Sequence, residues 1–149
     1  MTPKRFCLAA TSIFLFALLW NALVHLVILR EANSVLAAFA RPAAERSLVL
    51  SLVQTIALSV VFLFTYLQSR YAGSLRGGLV HGVLFAAIAG LLVDLNQYIL
   101  YPIPAWLVVA WFAFGLVEFC VYGLLAALLC RVETTGGTTG ANNDDGTPG

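Results

Sequence analysis

"GGLVHGVLFAAIAGLLVDLNQYILYPIPAWLVVAWFAFGLVEFCVYGLLAALLC", residues 77–130, decides the fold. Asp94 and Glu118 are its only acidic residues, and it holds no Lys or Arg. It breaks once, at Tyr101-Pro102-Ile103-Pro104, into two apolar runs. Each exceeds the roughly 20 residues that a helix needs to cross a hydrocarbon core. Backbone N–H and C=O groups find no partner in lipid, so each run is expected to be a helix. A link this short should fold the two back as an antiparallel hairpin. Asp94, just ahead of the turn, raises the functional question. A carboxyl inside an apolar run must be received by partners, or used.

Two further runs precede this stretch, at residues 6–29 and 47–68. The chain of 149 residues is 61% hydrophobic and only 10% charged, with a mean hydropathy of +0.94. Soluble domains are roughly half apolar and about a quarter charged. The expected class is therefore all-α, an integral membrane four-helix bundle with spans at 6–29, 47–68, 77–101 and 105–130, within a domain covering 1–132. The first run follows Lys4 and Arg5 as a signal peptide would. Its apolar part is longer than the usual h-region of about 7–15 residues, and Arg30-Glu31 stands where a cleavage site would be, so it reads as a retained span.

Four spans leave both termini on one side. Lys4, Arg5, Arg70, Arg76 and Arg131 share that side, while Arg30, Arg41 and Arg46 lie opposite. The excess of cations favours cytoplasmic termini in a multi-pass membrane protein. In the first connection, "REANSVLAAFARPAAERS", Val35, Leu36 and Phe39 recur at helical spacing and Pro42 suits a first turn. A short interfacial helix is expected there, between spans one and two. Tyr98, Tyr101, Trp106 and Trp111 gather near the Pro turn as an interfacial aromatic belt would. The tail, residues 133–149, is rich in Gly, Thr, Asn and Asp without apolar periodicity and is expected to be disordered.

Small residues let membrane helices approach closely. Gly78, Gly82, Ala86 and Gly90 form such a row on the third span, each four residues after the last, and one more step reaches Asp94. Gly115, Gly123 and Ala127 offer the counterpart on the fourth. At ~1.5 Å rise per residue, Asn21, His25, Gln54, Asp94 and Glu118 fall in one layer ~20–28 Å from the cytoplasmic end, with His81 only ~6 Å from it. Every span thus brings a polar group to one level of the outer half. His25, Asp94 and Glu118 are candidates to converge on one buried site, with Asn21, Gln54 and Gln97 as supporting hydrogen-bonding groups. Plainer readings stand beside this one. Asn21 and Gln54 serve as interhelical hydrogen-bonding glue, His25 and Asp94 sit within reach of headgroup water, and Glu118 makes a neutral interhelical hydrogen bond.

Several classes are excluded or left without support. A net charge of +1 with no basic cluster argues against a nucleic-acid partner. The two histidines lie too far apart in depth to share a metal or haem. Cys7, Cys120 and Cys130 read as small buried hydrophobes rather than a disulfide framework. No phosphate-binding Gly loop, zinc-ligand pair, Gly-x-Ser-x-Gly or Cys-x-x-Cys occurs, so no metal, cofactor or catalytic residue is assigned.

The stretch quoted above, with "WNALVH" of the first span, resembles small four-helix bacterial inner-membrane proteins of unknown function. The similar features are a Gly-spaced third helix, a Pro-containing turn, Trp residues opening the last helix, and Gly115 three residues before Glu118. The resemblance implies the four-helix fold and brings no activity with it. The leading functional expectation is a non-enzymatic accessory or scaffold subunit, surrounded by membrane lipid, that packs against itself as a homo-oligomer or joins a larger membrane-protein complex. The alternative is a proton- or cation-handling transporter or channel component using the Asp/Glu/His cluster. A membrane enzyme acting on a lipid comes third.

Overall fold

The computed structural model describes residues 2–38, 40, 42 and 45–130, leaving aside the side chains of Val35, Ala37 and Ala38. Phe39, Arg41, Arg131 and the tail 133–149 lie outside the described residues, as does the side chain of Val35. The described residues are helical, with no strand. Helix α1 (Pro3–Ala22) runs directly into a π-helical turn, Leu23–Ile28. A 3-10 helix, Ala32–Ala38, follows, and then α2 (Leu48–Gln68). Helix α3 (Leu75–Ala89), a second π turn (Gly90–Asp94) and α4 (Leu95–Leu100) form one continuous rod, and α5 (Ala105–Leu129) returns beside it. Four helical stretches are long and apolar enough to span a membrane: Pro3–Ile28, Leu48–Gln68, Leu75–Leu100 and Ala105–Leu129.

Local chemistry sets the helix ends. Pro3 fits the first turn of α1, where its missing N–H costs nothing, so the helix begins earlier than the apolar run. Ser47 and Ser74 cap α2 and α3 by accepting the N–H of Leu50 (3.2 Å) and of Gly77 (3.0 Å). Between α2 and α3 the chain turns through Gly73, whose φ of +88° is reserved almost entirely for glycine. The buried Tyr66 holds this turn, its hydroxyl accepting the Gly73 N–H at 2.9 Å. At the opposite end, the Pro102-Ile103-Pro104 link closes when the Ile103 N–H donates to the Tyr101 carbonyl at 2.7 Å. We call this the hairpin end, and the other the terminal end.

Helix α5 is central, touching α1, α2 and α3, and its contact with α3 is the most extensive. Small residues explain why. The backbones of Gly78 and Gly123 meet directly, and a methyl on either would strike the other's carbonyl oxygen. A methyl on Gly82 would lie 2.8 Å from the carbonyl carbon of Phe119 and 2.9 Å from Cα of Cys120. At Gly90 the neighbour is the ring of Phe112. Gly115 differs from its expected packing role. A methyl there would meet nothing within 4 Å, because that face of α5 opens onto a cavity.

The interior divides in two. Toward the terminal end, Ile13, Phe62, Leu63, Tyr66, Phe119 and Tyr122 anchor a close-packed core. Phe62 lies at its centre, with ring centroids 4.9 Å from His81, 5.0 Å from Phe85 and 5.5 Å from Tyr122. A smaller core at the hairpin end gathers Val24, Leu29, Ile103 and Leu107. The ring contacts of Phe62 and Tyr66 join α2 to α3 in the terminal half, whereas Leu48, Val49, Leu50, Val53, Gln54 and Ile56 are exposed. Between the two cores a large cavity remains. Cys7 is exposed on α1, which departs from the expectation of three buried cysteines, while Cys120 is half-buried and Cys130 buried.

Candidate functional site

The cavity holds about 710 Å³, within the roughly 300–1,000 Å³ of small-ligand sites. Asn21, His25, Gln54, Asp94, Gln97 and Glu118 all line it. Each spanning stretch contributes: Asn21 and His25 from the first, Gln54 from the second, Asp94 and Gln97 from the third, Glu118 from the fourth. The site is not buried in the sense expected from the sequence. Asn21, His25 and Gln54 are exposed, and Asp94, Gln97 and Glu118 are half-buried. The exposed hairpin half of α2 explains this, because protein does not close the cavity on that side.

The spanning helices that carry His25 and Asp94 each loosen where that residue sits. His25 lies in the π turn Leu23–Ile28, with the Leu29 N–H reaching back to the Val24 carbonyl at 2.7 Å. Asp94 closes the π turn Gly90–Asp94, where the Leu95 N–H reaches back to Gly90. A π turn fits one extra residue into the helix and re-aims the side chains around it, and such turns recur at functional sites.

Glu118 is the best-held acid. One carboxylate oxygen, Oε1, accepts from the Asn21 amide at 2.7 Å and also from the Tyr122 hydroxyl. The second N–H of the Asn21 amide is spent on the Ala17 carbonyl at 2.9 Å, which fixes the amide's direction. Oε2 has no hydrogen-bond partner among the described residues. Tyr122 was invisible as a partner in the polar-layer reading, although its position four residues after Glu118 puts both on one helix face.

His25 meets neither acid. Its Nδ1 lies 3.1 Å from Nδ2 of Asn33, in the short helix after the π turn. The Trp111 indole donates to Oδ1 of Asn33 at 3.1 Å. An indole N–H can only donate, so it holds the amide oxygen toward Trp111 and the amide N–H toward His25. Nδ1 is then the acceptor, and the neutral ring carries its proton on Nε2. Sequence spacing gave no sign of Asn33, because its contact depends on how the connection folds back.

The side chains of Asp94, Gln97 and Gln54 have no hydrogen-bond or ion-pair partner among the described residues. Unpaired polar groups in an apolar setting are costly unless water or a ligand meets them. The remaining lining is aliphatic and aromatic, the aromatic part being Trp20, Tyr101, Trp111, Phe112, Phe114 and Phe119, and among the described residues it holds no Lys or Arg. Trp20 is oriented by its own indole, which donates to the Phe114 carbonyl at 3.2 Å. Carboxyl oxygens and ring faces both attract cations.

His81 stands apart, with Nε2 3.2 Å from the Thr65 hydroxyl in the terminal-end core. Among the described residues no three His, Cys, Asp or Glu side chains gather to hold a metal. Compared with protein-family models, curated proteins and solved structures, the chain matches none of them, so the reading of this site rests on its own geometry.

Proposed function

We propose that the chain is a multi-pass protein of the bacterial inner membrane, with cytoplasmic termini, that handles protons or a cation through the cavity near its hairpin end. One observation carries the reading: polar side chains from all four spanning stretches line a single cavity that has two carboxyl groups and, among the described residues, no Lys or Arg. An ionisable side chain inside a membrane is expensive, which makes such a cluster a functional site by default. Orientation rests on the sequence, with Lys4, Arg5, Arg70, Arg76 and Arg131 at the terminal end. The helix Ala32–Ala38 then lies at the outer interface, beside the cavity mouth. No enzymatic role is proposed.

The test is thermal unfolding of the purified chain in a neutral detergent, with tetramethylammonium, sodium or potassium added at fixed ionic strength. The same unfolding is followed across neutral pH with no cation added. The reading expects stabilisation by at least one cation, or a stability that changes with pH, lost in Glu118→Gln and in Asp94→Asn. Absence of a shift with every cation and with pH would overturn it.

The accessory-subunit reading keeps one observation in its favour. The hairpin half of α2 is uncovered, and a helix from a second copy or a partner would close the cavity there. Native mass in mild detergent tests it: a stoichiometric complex supports a covering partner, and a monomer removes it.

A further inference from the structure

A second, shallower groove flanks the first cavity. It holds about 430 Å³ between the third and fourth spanning stretches and is lined by Ala87, Leu91, Leu95, Val108 and Val109. Gly90, Asp94 and Phe112 line it as well, and these same three residues line the larger cavity. The partition is thin. The Phe112 ring lies against Gly90, a position with no side chain of its own. Asp94 is the sole polar side chain on the groove. Leu91 (64% exposed) and Val109 (66% exposed) line the groove at the outside of the bundle, so a chain lying in the bilayer reaches it directly.

The geometry points to one occupant for both spaces: an amphiphile with an ammonium head and a single alkyl chain, its head in the aromatic cavity beside Asp94 and its chain in the groove. This rests on the cation reading above and names the class of cation. The head finds carboxyl oxygens and a lining that includes Trp20 and Trp111, and among the described lining residues no Lys or Arg repels it. An anionic head would meet Asp94 and Glu118 with no cation among those residues to balance it. A bare inorganic cation would leave the apolar groove, which shares Asp94 with the site, without a use.

The experiment is equilibrium binding of radiolabelled dodecyltrimethylammonium to the immobilised full chain in a neutral maltoside detergent, with thermal unfolding of each variant recorded in parallel. Saturable binding near one per chain is expected. Tetramethylammonium should compete only at concentrations at least about a hundredfold higher, and Asp94→Asn should weaken binding roughly tenfold. Val109→Trp fills the groove from its lipid-facing side and should abolish the advantage of the long chain; Leu91→Trp does the same from the opposite wall, should the first variant fail to fold. Equal competition by tetramethylammonium, with no effect of either groove variant, overturns the inference and leaves the cation reading standing. No saturable binding of either ammonium, together with no thermal shift from any cation or with pH, overturns both.

Discussion

The Glu118 carboxyl takes two donors on one oxygen, and each can be removed alone. Tyr122→Phe and Asn21→Ala should each lower stability by about 0.5–1.5 kcal/mol, the usual net worth of a hydrogen bond in a protein. Unfolding in detergent measures this, and in a double-mutant cycle Tyr122→Phe should cost little once Glu118 is Leu. A full additional loss in that background would show that Tyr122 acts elsewhere. The Trp111–Asn33–His25 chain makes a sharper statement. Nitrogen NMR of the His25 ring should find the Nε2-protonated neutral form, and Trp111→Phe should weaken that preference because the Asn33 amide is then oriented only by its 3.4 Å hydrogen bond to the His25 carbonyl. A ring protonated on Nδ1 in the native chain would contradict the assignment. Glu118, Asp94 and His25 were legible as candidates because charge is rare in these runs. Their partners were not, since a hydrogen bond depends on direction and sequence spacing reports only depth and face.

At the scale of helices, the small-residue row sorts into three kinds of contact. Gly78, Gly82 and Gly123 press on backbone, which cannot yield, so Ala at each should cost about 1–3 kcal/mol. Gly90 presses on the Phe112 ring, which can rotate away, so Gly90→Ala should cost less. Gly115 faces open space, and Gly115→Ala should be close to neutral. Equal losses at Gly115 and Gly123 in an unfolding series would refute the described packing of α5 on α3. Gly115 stands eight residues before Gly123, two steps of four on the fourth span, which is why the sequence places it with the rest. What separates it is the divergence of the helices around the cavity, a tertiary fact. The π turns were hidden for a similar reason. Residues 23–28 and 90–94 continue the apolar runs around them without a proline, and only the hydrogen-bond register reveals the extra residue in each turn.

For the whole molecule, four spans followed from composition and run length, and the four long apolar helices agree with that count. The side on which the ends lie is a separate matter, resting on cation bias. In a background without native cysteines, Ser34→Cys should react with a membrane-impermeant thiol reagent in intact cells, and Ala72→Cys only after the membrane is opened. The reverse pattern would invert the topology. Beyond orientation, the account depends on a polar, water-accessible cavity between the two cores, and neighbouring positions on one helix test that without disturbing the fold. Gln54 and Gln97 line the cavity, while Ile56 and Ile99, two residues along and so only ~3 Å away in depth, are exposed outside it. Single cysteines at the four positions, treated in membranes with a charged methanethiosulfonate, report the difference as reaction rates. Faster labelling at 54 than at 56, and at 97 than at 99, is the predicted result, whereas equal rates within each pair would contradict the cavity and the site built on it.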